Sequence, residues 1–493
     1  MAVSISSGRI KIIGNPFESI SNEDYDFKSS EQGKYSEQSR RVHRLGKNFV
    51  LSEEVVKKRY YPRILSGFLL STILLASLSA CSPSTVGSNS AKVLQSQTSR
   101  NTNPASSPGD MEELVNGNNA FAFDYYQSMR DRGGNMFYSP FSISSALAMT
   151  YAGARDGSET QMAQVLHYTL PQERLHAAFN TLDLLLAGTN ESAGSEEERQ
   201  KFQLNVANSL WGQKDYKFLT EYLDLLALNY GAGLRLVDFT GATEEARQTI
   251  NKWIEQQTKD KIKNLIPEGG IDSFTRLVLA NAIYFKADWT FPFDKNNTQD
   301  LPFNLLDGEQ VFVPMMSFSG SKNLSYHAGE GFQAVELPYV GDTTSMVILV
   351  PETDKFDAFE SALNSALMES ILAGLEPHLV ALTLPKFSFE SEFQLKNDLI
   401  EMDMSEPFDP DLADFSGMDG TRQLYIGDVF HKAFVAVDEK GTEAAAATAV
   451  IMQAMMAPSQ EIVLVVDRPF LFFIRERTTG TILFIGRVLN PSK

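Results

Sequence analysis

Three apolar runs near the C-terminus, residues 462–466, 471–474 and 482–485, are each about one strand long and lack polar alternation. A strand with one wet face alternates apolar and polar residues, so unbroken runs need cover on both faces. Thr479-Gly480 stands between the last two runs as a turn signal, which predicts buried strands joined by a hairpin. Helical patterns supply cover upstream. Thr243 is placed to cap a helix in which Ala246, Ile250, Trp253 and Ile254 share one face. Pro267 and Gly269-Gly270 end that region. Helical patterns dominate the first half of residues 111–493 and strand patterns the second. The expected fold class is α+β: one domain of roughly 380 residues around a large, mainly antiparallel sheet.

Composition narrows the function. Apolar residues make up 43% of the 493 and charged residues 21%, which is ordinary for a globular chain. The formal net charge of −19 opposes binding to nucleic acid or to anionic lipid, since phosphate recognition needs a basic footprint. Cys81 is the single cysteine, so no intrachain disulfide and no zinc site of paired cysteines can form. The six histidines (His43, His167, His176, His327, His378 and His431) are scattered, with no two at ligand spacing. No metal and no cofactor is expected.

The front of the chain reads as a targeting device. Residues 1–56 are polar and mixed in charge without a sustained apolar period, the pattern of a disordered extension. Lys57-Lys58-Arg59 and Arg63 precede an apolar run over residues 64–80 that ends in Leu78-Ser79-Ala80-Cys81. A basic start, a short apolar core and a small-residue exit make a secretory signal over residues 57–81. The run is slightly short for a membrane span of about 20 residues. Its last four residues resemble a bacterial lipobox, which implies lipidation of Cys81 and contact with a membrane only through that lipid. An uncleaved anchor, or an ordinary signal with an incidental Cys81, fits the same run. Residues 82–110 are rich in Ser, Thr, Asn and Pro and are expected to form a flexible tether. Signals normally begin near a chain start, so a start at Leu51, Val55 or Val56 is expected. A secreted or envelope-anchored lipoprotein, outside the cytoplasm, follows.

Residues 424–439 read as a strand with His431, Ala433, Val435 and Val437 on one face. It runs into Gly441-Thr442-Glu443-Ala444-Ala445-Ala446-Ala447-Thr448, and from Ala444 to Ala457 there is no charge, proline or glycine. Ala, Met and Gln favour helix, yet a surface helix here has no polar face, and fourteen residues do not span a membrane. A buried core helix is a second reading. A segment able to enter a sheet is the third: Ala444 and Ala446 fit a crowded slot, Glu443 falls opposite Thr442, and no proline blocks the ladder. Local physics leaves the three open.

Glu439-Lys440-Gly441-Thr442-Glu443-Ala444-Ala445-Ala446-Ala447 resembles the hinge of the serpin family of protease inhibitors. Asn135-Met136-Phe137-Tyr138-Ser139-Pro140-Phe141-Ser142 is similar to the family's approach to its second helix. Ile250-Asn251-Lys252-Trp253 with Thr258 and Lys261-Ile262 resembles a later helix, and Leu279-Ala280-Asn281-Ala282-Ile283-Tyr284-Phe285-Lys286 through Trp289 a central strand. Val313-Pro314-Met315-Met316, Leu384-Pro385-Lys386-Phe387, Asp414-Phe415-Ser416-Gly417 and Arg468-Pro469-Phe470-Leu471 follow in family order. The likeness spans about residues 116–491.

The resemblance implies a serpin fold with a metastable central sheet and an exposed reactive loop. A target serine protease cleaves the loop, is acylated by it, and is dragged away as the loop inserts as a new strand. A covalent acyl complex with the protease is the partner relation implied, by a protein that is a monomer and not an enzyme. Inhibitory members keep the inward hinge side small and uncharged, as Thr442, Ala444, Ala446 and Thr448 are here. An unpaired charge buried there costs several kcal/mol and lets hydrolysis win. The family's loop length places the scissile bond at Met455–Met456, where Met456 departs from the frequent serine. Medium apolar or small side chains point to elastase-, chymotrypsin- or subtilisin-like enzymes. Trypsin-like enzymes are not expected, since no Arg or Lys lies between Lys440 and Arg468.

By the same resemblance Ser139, Asn281 and His431 match a polar cluster that latches the sheet, against the plain reading of His431 as a satisfied core histidine. Trp289 matches the tryptophan where the loop enters. Rival functions are a non-inhibitory serpin acting as a binding or chaperone-like protein, and a cross-class inhibitor of a cysteine protease. Ser319-Gly320-Ser321-Lys322 also fits the S-x-x-K pattern of penicillin-interacting enzymes, but no S-D-N or K-T-G element follows it.

Overall fold

The computed structural model describes residues 92–191, 202–442 and 461–493. The chain divides into two units, Met1–Ser84 and Thr85–Lys493, and all described residues belong to the second. The expected extension, the signal segment and Cys81 lie outside the described residues.

The helices begin where short polar residues and proline place them. Helix α1 (Pro108–Met129) opens with a capping box: Ser107 Oγ accepts from the Asp110 amide at 3.1 Å, and the Asp110 carboxylate accepts from the Ser107 amide at 3.2 Å. Ser139 caps α2 (Pro140–Tyr151) in the same manner, accepting from the Ser142 amide at 3.2 Å with Pro140 in the first turn. Helices α3 (Asp156–Val165), α4 (Gln172–Glu191), α5 (Thr220–Tyr230) and α6 (Thr243–Gln257) follow. The short helices α7 (Phe356–Ala362), α8 (Ser365–Ala373), α9 (Lys396–Glu401) and α10 (Ser416–Asp419) come later. Thr243 is the first residue of α6 rather than its cap. Its hydroxyl donates back to Phe239 O at 2.6 Å, so the cap position falls to Ala242.

The strands in chain order are β1 (Lys92–Leu94), β2 (Met136–Tyr138), β3 (Phe202–Gln213), β4 (Leu234–Val237), β5 (Leu277–Asp288), β6 (Gln299–Asn304), β7 (Gln310–Ser317) and β8 (Lys322–Gly329). Then come β9 (Phe332–Pro338), β10 (Thr344–Pro351), β11 (Glu376–Pro385), β12 (Phe387–Gln394), β13 (Ile426–Val437), β14 (Gly441–Thr442), β15 (Ile462–Val465), β16 (Phe470–Glu476) and β17 (Ile482–Val488). Among the described residues they form two sheets where the sequence reading has one. The first runs β1-β4-β3-β5-β14-β13-β12. The second runs β2-β17-β16-β10-β9-β8-β11-β7-β6, with β15 on β11. The mixed helix-and-sheet fold is α+β, and most strand pairs are antiparallel.

β16 and β17 pair antiparallel and are buried almost throughout, with Gly480 at φ +80° in their turn. The Glu476 carboxylate accepts from the Thr478 and Thr479 amides at 2.9 and 2.6 Å, which closes that turn. β15 departs from the expected burial. Val463 is 69% exposed and Val465 37%, because β15 lies parallel on β11 with one face left open. An apolar run on the outer part of a sheet reads like a buried strand until its neighbours are known.

The expected tether is also corrected for its described part. β1 pairs antiparallel with β4, Lys92 opposite Leu236 and Leu94 opposite Leu234. Beyond it, Arg100 donates to Asn180 Oδ1 at 2.9 Å and to Asp183 at 2.6 Å on α4, and the Asn101 amide donates to Leu228 O at 2.9 Å on α5. Ser106 Oγ donates to Thr181 Oγ1 at 2.7 Å. Composition points to a tether because these residues bury little apolar surface, whereas hydrogen bonds hold them.

β5 carries the geometry that matters next. It is antiparallel to β3 on one side and parallel to β13 on the other, from Ile426 opposite Leu277 to Phe434 opposite Tyr284. Past that point β14 stands between them, with Gly441 opposite Asp288, and Thr442 opposite Ala287 on one side and Val437 on the other.

Candidate functional site

The segment expected to be a hinge begins with a reversal after β13. Asp438 makes it: its carboxylate accepts from the Lys440 amide at 2.8 Å and the Gly441 amide at 3.3 Å, while its own amide donates to Gly441 O at 2.9 Å. A side chain at Gly441 has no room, since an added Cβ falls 2.0 Å from Ala287 O and 2.7 Å from Asp288 Cα. Thr442 is buried, and its hydroxyl shares a 2.8 Å hydrogen bond with the hydroxyl of Tyr339. Glu443, Ala444, Ala445, Ala446, Ala447 and Thr448 lie outside the described residues, as do Met455 and Met456.

The residues after β5 close over this reversal. The Trp289 amide donates to Lys440 O at 2.6 Å, its indole N–H to Asp438 O at 3.1 Å, and the Phe293 amide to Glu439 O at 2.7 Å. The Trp289 ring stacks on Tyr339 with centroids 4.5 Å apart and planes 11° from parallel. Glu439 is buried, and it accepts from Lys386 Nζ at 2.8 Å and from Thr298 Oγ1 at 2.8 Å. Burial pushes the Glu439 carboxyl up, but the bonds from Lys386, its own amide and Thr298 outweigh this and hold it below the usual range.

Further along the β5–β13 seam, Asn281 and His431 stand directly opposite each other. His431 Nδ1 is bonded to Asn281 Oδ1, and His431 Nε2 accepts from the Ser139 amide at 3.1 Å. An accepting Nε2 leaves the proton on Nδ1, so the ring is neutral and donates to Asn281. Burial lowers the His431 pKa to about 3. The Asn281 amide group donates to Ser142 O and Ser142 Oγ, both at 2.7 Å, and to Asn208 Oδ1. Ser139 reaches His431 through its backbone amide, while its hydroxyl caps α2.

The structure thus gathers Ser139, Asn281 and His431 in one buried cluster and puts Trp289 against the turn at Asp438 and Lys440. Sequence reasoning missed Asn208, Ser142, Tyr339, Lys386 and Glu439 as partners. One signal was available: Asn208 alternates with Leu204, Val206 and Leu210 on the core face of β3, where an unpaired amide is costly. The S-x-x-K match leads nowhere chemically. Gly320 has φ +74°, Lys322 begins a strand and its Nζ donates to Ser319 O at 3.2 Å, so no helix presents that serine. Among the described residues no cluster of three His, Cys, Asp or Glu is placed to hold a metal.

Comparison with known proteins gives one consistent family. The profile described as "Serpin (serine protease inhibitor)" matches residues 116–491. A leukocyte elastase inhibitor of Xenopus tropicalis is 40% identical over 388 residues, covering 77% of this chain and 100% of the relative. Among solved structures, the thermophilic serpin Tengpin in its native state aligns with a TM-score of 0.71 at 28% identity, covering 81% of this chain and 100% of that one. Human thyroxine-binding globulin complexed with thyroxine aligns with a TM-score of 0.69 at 28% identity, over 78% and 100%.

Proposed function

From the premise that this chain belongs to the serpin family of serine protease inhibitors, we propose that it is an irreversible suicide-substrate inhibitor. Its targets are serine proteases of elastase-, chymotrypsin- or subtilisin-like preference. The observation that carries this reading is β14, where Gly441 and Thr442 already occupy the slot between β5 and β13. Loop residues that follow in register continue the same antiparallel strand. Thr442, Ala444, Ala446 and Thr448 then face one side, and none of them brings a charge into the core. The β5–β13 seam is a parallel ladder that parts without breaking either strand's pairing to β3 or β12.

In this reading Met455–Met456 is the scissile bond, and the acylated enzyme is carried along as residues 443–455 enter. Asn281, His431 and the Ser139 amide act as the latch that must yield. The protein works as a monomer outside the cytoplasm, with Cys81 lipidated and residues 57–80 removed as a signal.

The test is incubation of the protein with elastase, chymotrypsin or subtilisin and a search for an SDS-resistant band at the summed mass. Clean loop cleavage with no such band for any of the three overturns the inhibitor reading. It would leave a binding role of the kind that thyroxine-binding globulin has by name. Mass measurement of the mature N-terminus tests the lipid at Cys81.

A further inference from the structure

Tyr339 and Thr442 are 103 residues apart in sequence, and each hydroxyl is the other's partner in a site closed to water. Tyr339 directly follows β9, a strand of the second sheet, whereas Thr442 sits in the first, so this hydrogen bond joins the two sheets. Contacts other than Thr442 fix the position of the phenol. Trp289 stacks on one side of the ring, Phe285 meets it edge-on at 5.2 Å and 73°, and the Tyr339 amide donates to Thr344 O at 3.0 Å. Burial raises the phenol pKa, so the group remains an O–H.

We propose that Tyr339 is the positioning residue for the loop's first step: its hydroxyl catches Thr442 and holds the hinge seated between β5 and β13 in the uncleaved protein. The proposal deepens the inhibitory reading and takes its consequence from it. Withdrawal of β14 leaves the Tyr339 hydroxyl in an aromatic pocket without Thr442, and an unmade buried hydrogen bond costs more than a made one gains. The catch is selective. Serine carries the same hydroxyl, whereas valine has the shape of threonine and leaves the phenol unpaired. A hinge already seated gives insertion a formed start, so fewer steps separate loop cleavage from capture of the enzyme.

Hydrogen exchange on the intact, uncleaved full chain tests this, read on peptides spanning residues 285–289 and 437–442. Thr442→Val and Tyr339→Phe are each expected to lower protection there about tenfold, the size of one lost buried hydrogen bond. The double variant is expected to be no less protected than the weaker single, because both changes remove the same interaction. Thr442→Ser is expected to match the wild type, and peptides from β16 and β17 are expected not to change. Loss of protection of twofold or less in Thr442→Val overturns the catch. So does an additive double variant, or a Thr442→Ser protein as unprotected as Thr442→Val. No protease is present in this measurement. A failure to form covalent complexes therefore counts against the inhibitory reading alone.

Discussion

Lys386 Nζ donates to Glu439 Oε2 at 2.8 Å across the mouth of the slot, joining the start of β12 to the turn that feeds β14. The side chain of Glu439 is 6% exposed and that of Lys386 36%. Removing Lys386 strands a buried carboxylate that keeps only Thr298 and its own amide. Lys386→Met is expected to destabilise the protein by about 1–3 kcal/mol, less than a fully buried pair because water reaches the lysine. Adding Glu439→Gln is expected to recover part of that loss, since the stranded charge is gone. Urea midpoints of the single and double variants check both statements.

Gly441 has no space for a side chain, because the atoms nearest an added Cβ are backbone atoms of β5 that cannot turn away. Gly441→Val is expected to unseat β14 and to divert the protease reaction toward cleaved, non-covalent product. Comparison of the covalent band with the cleaved band on one gel measures the split. A wild-type yield of complex from Gly441→Val would falsify the slot as the point where insertion starts.

Ala446 lies outside the described residues; in the proposed insertion, strand alternation from Thr442 assigns it to the inward side. Ala446→Arg is expected to turn the trap into a substrate, as a desolvated guanidinium slows insertion below hydrolysis. The readout is the number of protein molecules consumed per protease molecule inhibited, which rises several-fold.

His431 makes stability depend on pH. Its folded pKa of about 3 lies below the unfolded value of about 6.5, so the unfolded chain binds more protons between them. The contribution is therefore complete above pH 6.5 and is lost as pH falls toward 3, with a slope of at most about 1.4 kcal/mol per pH unit. His176, also lowered to about 3 by burial, adds the same trend. Between pH 7 and 4 the wild type is expected to lose stability more steeply than His431→Asn. Parallel denaturation curves for the two proteins would remove this histidine from the account.

Arg100 ties the segment ahead of α1 to α4 through Asn180 and Asp183. Arg100→Ala is expected to lower stability by about 1–2 kcal/mol, the range of a charge-assisted bond with a partly exposed partner. A protein beginning at residue 108 is expected to lose more, because β1 goes as well. Thermal unfolding of the three forms ranks them.

Much of the fold was legible because its signals are local. The runs at 471–474 and 482–485 announce covered strands, whereas the helix start at Ser107-Pro108 falls inside the stretch whose composition reads as a tether. The polar cluster was half legible. His431 stands on a strand face with Ala433, Val435 and Val437 and Asn281 enters through the resemblance, while the pairing of Asn208 with Asn281 depends on the register of β3 against β5. Val463 and Val465 misled because hydrophobicity does not reveal which side of a sheet stays open.

The sequence by itself carries the order of small, uncharged residues from Gly441 to Thr448, which local physics leaves open between helix and strand and which only a resemblance to serpins marks as a hinge. Tertiary structure alone decided that Gly441 and Thr442 occupy the seam between β5 and β13, that Arg100 pins a segment composed like a linker, and that Tyr339 meets Thr442. Each of these depends on register between strands or helices far apart in the chain. A hydroxyl or amide carries no mark of its partner until packing brings the two within about 3 Å.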